Sequence, residues 1–545
     1  MTSFVNDPTT MVLQAFDGLV RGSGGRLARL DGYPDVKVVL RADSPTTEVS
    51  VVSGGGAGHE PAHAGFVGTG LLAAAVSGEV FASPSAEAVL AAIRASSSEA
   101  GCLLVVKNYT GDRLNFGLAA QRARAAGVQV EMVIVADDVA LRDIAQPRGI
   151  AGTLFVHKVA GAAAQAGASL SEVAAMARRV ATTVRTVGVS ASGVNIPFRT
   201  PARAFPRDSV ELGLGIHGEP GRESVAFNGV GPLIELVSDE LAARLPGGQP
   251  VALLVNNLGG VSALEMAVIT EELLTGPLGD RVELLTGPGA LMTSLSMKGF
   301  SVSALPLDGE VRSALLAPSD PAAAWPGVRT IDSQLSLRSV PDDSSSKEYP
   351  PSADPAIRAL LQRVCSALQE SREDLDALDA KVGDGDTGST FASAARRIAA
   401  ELDALPLAVP ADLCARLSQL ISTSMGGSSG VLLSIAFASL SADLALGSPP
   451  GPALSRAIQA IQQYGGASLG DRTMLDALIP AARALATTGS LVHAASAAAE
   501  GAESTADMPV ARAGRSSYVG AEHLTGTRDP GAAAIAVIFS AMAAG

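Results

Sequence analysis

The hydrophobic pattern of this chain changes character once, across a polar, proline-rich segment at residues 341–355. Before this segment, short apolar runs alternate with stretches of helical spacing, and after it only helical spacing remains. The segment combines acidic, serine and proline residues, a composition typical of an exposed, extended linker. At 545 residues the chain is also too long for a single core. The sequence therefore predicts an α/β domain over residues 1–338, a linker over 339–354 and a helical domain over 355–545.

The first part has the alternating strand and helix patterns of an α/β fold. Strands are predicted at residues 36–40, 48–52, 71–76, 102–106, 128–135, 210–216, 250–255, 282–285 and 301–305. Helices are predicted at residues 86–95, 114–125, 170–180, 232–245 and 263–274. These strands and helices are too numerous for a single sheet and the helices that cover it. We therefore expect two α/β subdomains, roughly 1–185 and 186–338.

The part after the linker is helical throughout. Ile357, Leu360, Leu361, Val364 and Leu368 recur with the spacing of one helix face. Similar stripes predict helices at residues 391–402, 413–422, 431–446, 452–462, 473–486 and 531–543. The joints between them are short and rich in glycine and serine. We therefore expect an all-α antiparallel bundle or barrel with its glycine loops gathered at one end.

The composition limits the partners that this chain can have. A net charge of −14 argues against nucleic acid and anionic membranes. The N-terminus lacks the pattern of a signal peptide, and no apolar run approaches 18 residues, so no membrane span is expected. Cys102, Cys365 and Cys414 are odd in number and far apart, which favours reduced thiols and a cytoplasmic location.

Three aspartates lie within eight residues near the start of the helical part: Asp379, Asp384 and Asp386. Carboxylates this close repel one another unless a cation lies between them. Oxygen-only ligands suit a hard cation such as Mg²⁺. A calcium EF-hand would need a glutamate at residue 395, which is Ala395. A solvated acidic turn is the alternative, and we favour a magnesium site.

Glycine-rich joints elsewhere in the helical part could approach a phosphate. Residues 424–430, 465–474 and 514–518 each place glycines or serines where a helix begins, and free N–H groups there attract phosphate oxygens. The first could equally be an ordinary flexible cap, and the alternative for the last is a solvent-exposed loop. Asp529-Pro530-Gly531 has proline at the first turn of the last helix. The sequence has no P-loop motif, so a nucleotide site here would be of another kind.

The α/β part carries polar residues where predicted strands end. The strand at residues 48–52 leads into a glycine loop with His59, and the strand at 102–106 leads into Lys107 and Asp112. His217 lies in another glycine-rich turn after a strand. Small ligands bind in such positions of α/β folds. A surface Lys–Asp ion pair and structural histidines are the alternatives to a polar site.

Together these motifs resemble the dihydroxyacetone kinase family, in its single-chain, ATP-dependent type. The resemblance spans nearly the whole chain: Gly-Gly-Gly-Ala-Gly-His59-Glu-Pro, Lys107-Asn-Tyr-Thr-Gly-Asp112, Gly-Ile-His217-Gly-Glu-Pro-Gly, Asp379-x₄-Asp384-x-Asp386-Thr-Gly, Gly-Gly-Ser428-Ser429-Gly, Gly470-Asp-Arg-Thr-Met and Gly-Arg515-Ser-Ser-Tyr followed by Asp529-Pro-Gly. It implies a substrate domain fused to an all-helical nucleotide domain.

The resemblance also implies roles in the substrate domain. His217 matches the histidine that holds a short ketose, dihydroxyacetone (glycerone), as a covalent hemiaminal. Asp112 matches the base that accepts the proton of the attacking hydroxyl. His59 would hydrogen-bond the substrate, and Gly56 and Lys107 match positions lining the pocket.

In the nucleotide domain, the resemblance implies that Asp379, Asp384 and Asp386 hold two Mg²⁺ ions that bridge the phosphates of ATP, the phosphoryl donor. The implied nucleotide contacts are Thr387, Gly388, Ser389, Thr390, Ser428, Ser429, Gly470, Arg515, Asp529, Pro530 and Gly531. It further implies a homodimer.

Alternatives remain open at this stage. Relatives phosphorylate erythrulose or glyceraldehyde, and some split FAD to a cyclic flavin phosphate at the same nucleotide site. A non-enzymatic alternative is a sugar-sensing adaptor of a phosphotransferase system, in which the two domains are separate chains. The fusion seen here favours ATP as the direct donor.

Overall fold

The computed structural model describes residues 3–32, 34–43, 47–141, 146–197, 208–332, 335–339 and 348–545. It divides into two compact units, Met1–Arg338 and Ser339–Gly545. The first contains all of the described strands together with helices, and the second contains only helices. The predicted α/β and all-α assignments are thus confirmed. Of the predicted linker, residues 340–347 lie outside the described part.

The strands and helices have the following bounds. The strands are β1 Leu27–Arg29, β2 Val38–Arg41, β3 Ser50–Ala57, β4 Gly68–Thr69, β5 Ala74–Val80, β6 Cys102–Lys107, β7 Val130–Val135, β8 Arg185–Ser190, β9 Ser209–Leu212, β10 Glu223–Ala226, β11 Val251–Asn257, β12 Val282–Gly289, β13 Gly299–Pro306, β14 Asp320–Pro321 and β15 Arg329–Thr330. The helices of the first unit are α1 Met11–Gly22, α2 Ala86–Ser96, α3 Thr110–Ala125, α4 Thr153–Gln165, α5 Leu170–Thr183, α6 Val230–Ala242, α7 Ala263–Thr275 and α8 Gly309–Leu316. Those of the second are α9 Pro355–Glu370, α10 Arg372–Asp379, α11 Thr387–Ala400, α12 Pro410–Ser424, α13 Gly427–Ala445, α14 Pro450–Gly465, α15 Leu475–Thr488, α16 Leu491–Ser504, α17 Ala521–Leu524 and α18 Pro530–Ala543.

The first unit is built on two main sheets. The six-stranded sheet has the order β1-β2-β5-β3-β6-β7, in which β5, β3, β6 and β7 run parallel. The seven-stranded sheet has the order β10-β9-β8-β13-β11-β12-β15 and is mixed, with β11 and β12 parallel. In the central strand β6, every residue is buried, as its unbroken apolar run predicts.

One hydrophobic core joins the two sheets. It contains Val105 of the six-stranded sheet, Phe155 of α4, Val180 of α5 and Leu254 of the seven-stranded sheet. Helices α2 and α3 cover the other face of the first sheet, and α6 and α7 cover the other face of the second. The polar loops at the ends of both sheets are therefore fixed relative to each other within this unit.

The second unit is a bundle whose helices pack in the succession α9, α11, α12, α13 and α14, and then α15, α16 and α18, with α18 returning to α9. Helix α18 contributes Ile535 to one core cluster and Ala534 to a second. Its first turn is capped by Asp529, whose Oδ2 accepts the N–H of Ala532 at 2.7 Å, and Pro530 occupies the first helical position.

Three differences from the predicted elements concern the sites. The strand predicted to reach residue 216 ends at Leu212, because Gly213 turns the chain with φ +76°. The glycine-serine run was predicted to precede a helix at residue 431, but α13 already begins at Gly427. Helix α4 was not predicted, because it is buried on all sides and has no amphipathic stripe.

Helix α13 is the one helix in the described part of the chain that is long and apolar enough to cross a bilayer by length and composition. It packs between α12 and α14 in the bundle. The hydroxyls of Ser418 and Ser434 each donate to the other residue's carbonyl, at 2.7 and 2.9 Å, and join α13 to α12.

Candidate functional site

The polar residues of the first unit lie at the carboxyl ends of neighbouring parallel strands. Strand β3 leads into His59, and β6 ends at Lys107, with Asp112 in the first turn of α3. All three side chains are buried. Backbone hydrogen bonds from Leu295 to Gly58 (2.9 Å) and from Thr293 to His59 (3.1 Å) tie the β3 loop to the loop after β12.

His59 and His217 meet although 158 residues separate them in the chain. Their Nε2 atoms lie 3.1 Å apart. Nδ1 of His59 donates to the carbonyl of Thr293 at 2.8 Å, so Nε2 of His59 is an acceptor while that ring is neutral. Burial lowers the pKa of His59 well below its usual range, and the charges of His217 and Lys107 lower it further. His59 is therefore a neutral imidazole at physiological pH.

The other nitrogen of His217 contacts a glutamate that the sequence reasoning passed over. Nδ1 lies 3.0 Å from Oε1 of Glu219, and the backbone N–H of His217 donates to Oε2 at 3.0 Å. The signal was available, since Glu219 follows His217 by two residues in the glycine-rich turn. Phe81 and Tyr109 flank the ring of His217, with centroids 5.1 and 4.7 Å away.

Lys107 occupies a second buried cluster beside this pair. Its Nζ donates to the carbonyl of Gly54 at 3.1 Å and lies 2.6 Å from Nε2 of His63. Burial lowers the pKa of Lys107, while the charges of Asp112 and Asp137 oppose that shift. His63, buried four residues after His59, is a further site residue that the sequence reasoning missed.

Asp112 has one carboxylate oxygen free to accept. Its Oδ1 is buried and has no hydrogen-bond partner among the described residues. Buried acceptors are nearly always paired in folded proteins. This oxygen is therefore placed to receive a donor from a bound molecule. Gly56 lies in β3 and lines a small cavity with Gly55 and His63.

In the second unit, the three aspartates come together at the start of α11. One ligand oxygen from each of Asp379, Asp384 and Asp386 lies within 4.8 Å of the others. Oδ2 of Asp379 also accepts the N–H groups of Asp386 and Thr387, at 2.9 and 3.2 Å. Gly383 is needed in this turn, because a Cβ there would overlap Oδ1 of Asp379. An all-oxygen cluster of this size fits Mg²⁺.

The aspartates open on a cavity of about 610 Å³, the size of a small-ligand pocket. Of the residues expected at a nucleotide, the cavity is lined by Thr387, Thr390, Ser428, Ser429, Asp529, Pro530 and Gly531. The first turns of α11 and α13 both contribute to its wall, so backbone N–H groups at two helix starts are available to an anion.

Three other residues expected at the nucleotide do not line the cavity. Gly388, Ser389 and Gly470 are not among the lining residues. The hydroxyl of Ser389 donates to Oδ2 of Asp376 at 2.7 Å, and its N–H donates to Oδ1 at 2.8 Å. Ser389 therefore joins the first turn of α11 to Asp376 of α10. Arg515 begins a short 3-10 turn, and its side chain lies outside the described part of the structure.

Arg472 is a lining residue that the sequence reasoning named only within a motif. It is fully buried, and its Nη2 donates to the carbonyls of Leu524 and Thr527 at 3.2 and 2.6 Å. Its Nε and Nη1 have no partner among the described residues. Burial raises the pKa of the neighbouring Asp529 to about 6, and the charge of Arg472 limits the rise.

Comparisons with known proteins cover both units. The profile of the Dak1 domain matches residues 23–323, and that of the DAK2 domain matches residues 381–544. Dihydroxyacetone kinase of Citrobacter freundii is 46% identical, over 99% of this chain and 98% of that protein. Triokinase/FMN cyclase of Homo sapiens is 40% identical, over 99% of each. The crystal structure of the C. freundii kinase in complex with AMP-PNP and Mg²⁺ has a TM-score of 0.72 at 44% identity, covering 99% of each chain.

The two-sheet unit with its paired histidines, joined to a helical unit with an acidic cavity, defines a protein that combines a Dak1 domain with a DAK2 domain in one chain. The chain belongs to the dihydroxyacetone kinase family.

Proposed function

We propose that this protein is an ATP-dependent kinase that phosphorylates a short ketose, with dihydroxyacetone as the principal acceptor. The observation that carries the proposal is that the first unit has a site suited to the acceptor and the second has a site suited to the phosphoryl donor. The first unit has buried groups suited to a carbonyl compound and its hydroxyl, and the second has a carboxylate cluster opening on a cavity of about 610 Å³. Phosphoryl transfer needs positioning and charge neutralisation more than covalent help from the protein.

The second unit would bind ATP with Mg²⁺. Asp379, Asp384 and Asp386 would hold the metal, which we propose as two ions and which would offset the negative charge of the phosphates. Ser428, Ser429 and the N–H groups that start α11 and α13 would bind phosphate oxygens. The solved relative with AMP-PNP and Mg²⁺ supports this assignment.

In the first unit, His217 would capture the ketose as a hemiaminal. The lone pair of Nε2 forms the C–N bond, and the carbonyl π pair moves to oxygen. A proton from solvent, taken up on the acceptor Nε2 of the neutral His59 and passed on by it, completes the hydroxyl at that oxygen. The carbonyl carbon must approach along the direction that now faces His59, so substrate replaces the contact between the rings. Glycerol has no carbonyl and is not captured.

Asp112 would act as the base for the terminal hydroxyl. Its unpartnered Oδ1 would accept the hydroxyl proton as that oxygen attacks the γ-phosphorus of ATP and the bond from this phosphorus to ADP breaks. The ammonium of Lys107 lies near Asp112, because both side chains approach residue 55. A Cβ added to Gly55 would be 2.6 Å from Nζ of Lys107 and 3.6 Å from Oδ2 of Asp112.

A second candidate is supported by one relative's name, triokinase/FMN cyclase, at 40% identity. Glyceraldehyde or erythrulose could serve as acceptor, and the same nucleotide cavity could cleave FAD to a cyclic flavin phosphate. The adaptor alternative is disfavoured because both units of this chain carry a full set of polar groups. We further propose a homodimer and a cytoplasmic location, the latter supported by three free cysteines.

The decisive experiment compares turnover of the full chain with Mg-ATP on dihydroxyacetone, D-glyceraldehyde, both erythrulose enantiomers and glycerol. We expect dihydroxyacetone to have the highest kcat/KM and glycerol to be inert.

Binding of ketose labelled with ¹³C at its carbonyl should move that carbon's resonance from the ketone region to the tetrahedral region. A retained ketone resonance in the complex would refute covalent capture, and no turnover on any carbonyl compound would refute the kinase.

A further inference from the structure

Both carboxylate oxygens of Glu219 are directed at a single residue, His217. Oε1 lies 3.0 Å from Nδ1 of the ring, and Oε2 accepts the backbone N–H at 3.0 Å. A carboxylate accepts hydrogen bonds and cannot donate them. The ring nitrogen that faces Glu219 must therefore carry a hydrogen, and the neutral ring has its lone pair on Nε2. This is the atom that faces His59.

Glu219 remains ionised in this setting. Burial raises the pKa of its carboxyl, but the hydrogen bond from His217, the charge of that ring and the backbone N–H groups outweigh burial and lower the pKa to about 2. Among the groups around it, Arg148 is paired with Asp138 at 2.6 Å. Burial, and then the charge of Glu219, raise the pKa of the Tyr109 hydroxyl.

The carboxylate of Glu219 lies against residue 215, where only a glycine leaves enough space for it. A Cβ at Gly215 would overlap Oε2 of Glu219 and would lie 2.6 Å from Nη1 of Arg148. Arg148 in turn donates to the carbonyl of Gly213 at 2.7 Å and so fixes the start of the turn. Gly215 is thus required for the position of Glu219, independently of the hydrogen bonds to His217.

Without Glu219 the contact with His59 would favour the opposite tautomer. Nε2 of His59 is an acceptor, because its Nδ1 donates to Thr293. A neutral His217 released from Glu219 would satisfy that acceptor by carrying its hydrogen on Nε2. Its lone pair would then be on Nδ1, away from the substrate. Glu219 and His59 therefore compete for the single ring hydrogen.

We propose that Glu219 is a positioning residue for carbonyl capture: it holds the hydrogen of His217 on Nδ1, so that Nε2 is the nucleophile, and its charge compensates the imidazolium formed by the new C–N bond. The proposal rests on the proposed capture of a ketose by His217. In the step, Nε2 bonds the carbonyl carbon, the π pair moves to oxygen, and a proton from solvent, relayed by the neutral His59, completes the hydroxyl. Nδ1 keeps its hydrogen, and Glu219 remains a carboxylate.

The first test reads the tautomer and does not depend on activity. Full-length protein labelled with ¹⁵N at histidine gives six side-chain patterns, and the His217→Asn variant identifies the one from His217. At a pH where the ring is neutral, wild type should show the hydrogen on Nδ1, and Glu219→Ala should move it to Nε2. A wild-type ring protonated on Nε2 would overturn the proposal.

The second test separates orientation from charge by kinetics. Loss of a charged hydrogen bond changes binding by roughly tenfold to a hundredfold. Glu219→Ala should raise the KM for dihydroxyacetone by about this factor and leave the KM for ATP within about twofold. Glu219→Gln keeps an acceptor oxygen without the charge, and it should retain the Nδ1–H tautomer while its ketose KM still rises. Wild-type KM in both variants would overturn the proposal.

Gly215→Ala should displace the carboxylate of Glu219 from His217 without changing Glu219 itself. It should move the tautomer and the ketose KM in the same direction as Glu219→Ala, whereas Glu223→Gln, at an exposed residue of β10, should change neither. If wild type forms no tetrahedral adduct, the proposed capture fails first. If wild type forms the adduct and Glu219→Ala forms it equally well, capture stands and the role of Glu219 is refuted.

Discussion

At the scale of single residues, four of the six histidines of this chain gather around one site. His59 and His217 contact directly, and His63 and His157 form a second pair with ring centroids 5.2 Å apart. Burial lowers the pKa of His59, His63 and His157, so these rings serve as neutral donors and acceptors. His217 is the one of the four with an ionised carboxylate against its ring.

The His217→Ala variant should lose ketose capture while its nucleotide site remains intact. We expect the KM for dihydroxyacetone to rise at least about tenfold, because a bond and a charged hydrogen bond are lost together. The KM for ATP should stay within about twofold. Steady-state kinetics with both substrates varied would check this, with His523→Ala, an exposed histidine of α17, as the matched control. An unchanged ketose KM would contradict the assignment.

The Asp384→Ala variant should behave in the opposite way. Removing one of three carboxylates from the cluster should lower kcat with Mg-ATP by about a hundredfold or more, because the charge on the transferred phosphoryl group is then poorly offset. Formation of the ketose adduct should not change. Asp403→Ala, at an exposed aspartate, is the control. Normal turnover in the Asp384 variant would show that this residue is dispensable for the metal.

At the scale of elements, α4 shows why a buried helix escapes sequence reasoning. It lies between the two sheets, and residues 153–162 are all buried. A helix with apolar contacts on every side has no stripe for a period of 3.6 to reveal. Strand β6 was predicted because four to eight apolar residues ending at a polar one identify a buried parallel strand. Helix α16 was missed because alanine dominates it and leaves little contrast.

Helix α4 also buries a lysine, which leads to a prediction about stability. Lys158 donates to the carbonyl of Ala314 at 2.9 Å, and burial lowers its pKa to about 8 from 10.5. Between about pH 8 and 10.5 the unfolded chain binds more protons than the folded one, so this group makes stability rise with pH across that window. Below pH 8 the full penalty of the buried charge remains.

Replacing Lys158 by Met should therefore stabilise the protein at pH 7. The relieved penalty exceeds the lost hydrogen bond by about 1–2 kcal/mol. The difference in stability between variant and wild type should shrink as pH rises from about 8 to 10.5. Denaturant unfolding of both proteins at several pH values measures this, with Lys298→Met at an exposed lysine as the control. Destabilisation at pH 7 would show that the bond to Ala314 outweighs the charge.

At the scale of the whole molecule, the chain consists of two compact units with separate cores. The histidine site belongs entirely to the first unit, and the acidic cavity belongs entirely to the second. A ligand stabilises the unit that binds it, by about 2.7 kcal/mol at a concentration 100 times its Kd. Each substrate should therefore have its own thermal signature.

Calorimetry of the full chain should show this division. At 100 times Kd, dihydroxyacetone should raise the melting temperature of one transition by about 4 °C, and Mg-ATP should raise that of the smaller unit by about 6 °C. The His217→Ala variant should lose only the first shift, and Asp384→Ala only the second. A single transition that responds equally to both ligands would contradict the independence of the two sites.

The sequence by itself determined whatever depends on neighbours along the chain. The aspartate cluster falls within eight residues, so its convergence needs one helix start and one glycine turn. The change from mixed to purely helical spacing set the two fold classes. Asp529-Pro530-Gly531 was read correctly as a helix start for the same reason.

Only the tertiary structure decided contacts between distant segments. His59, His217 and Thr293 meet because one shared core fixes the ends of two sheets against each other. No local spacing encodes that distance, and none shows that Ser389 turns its hydroxyl to Asp376 and away from the cavity. The tautomer of His217 follows from hydrogen bonds that exist only once the chain is folded, because either of its two ring nitrogens could carry the hydrogen in the sequence alone.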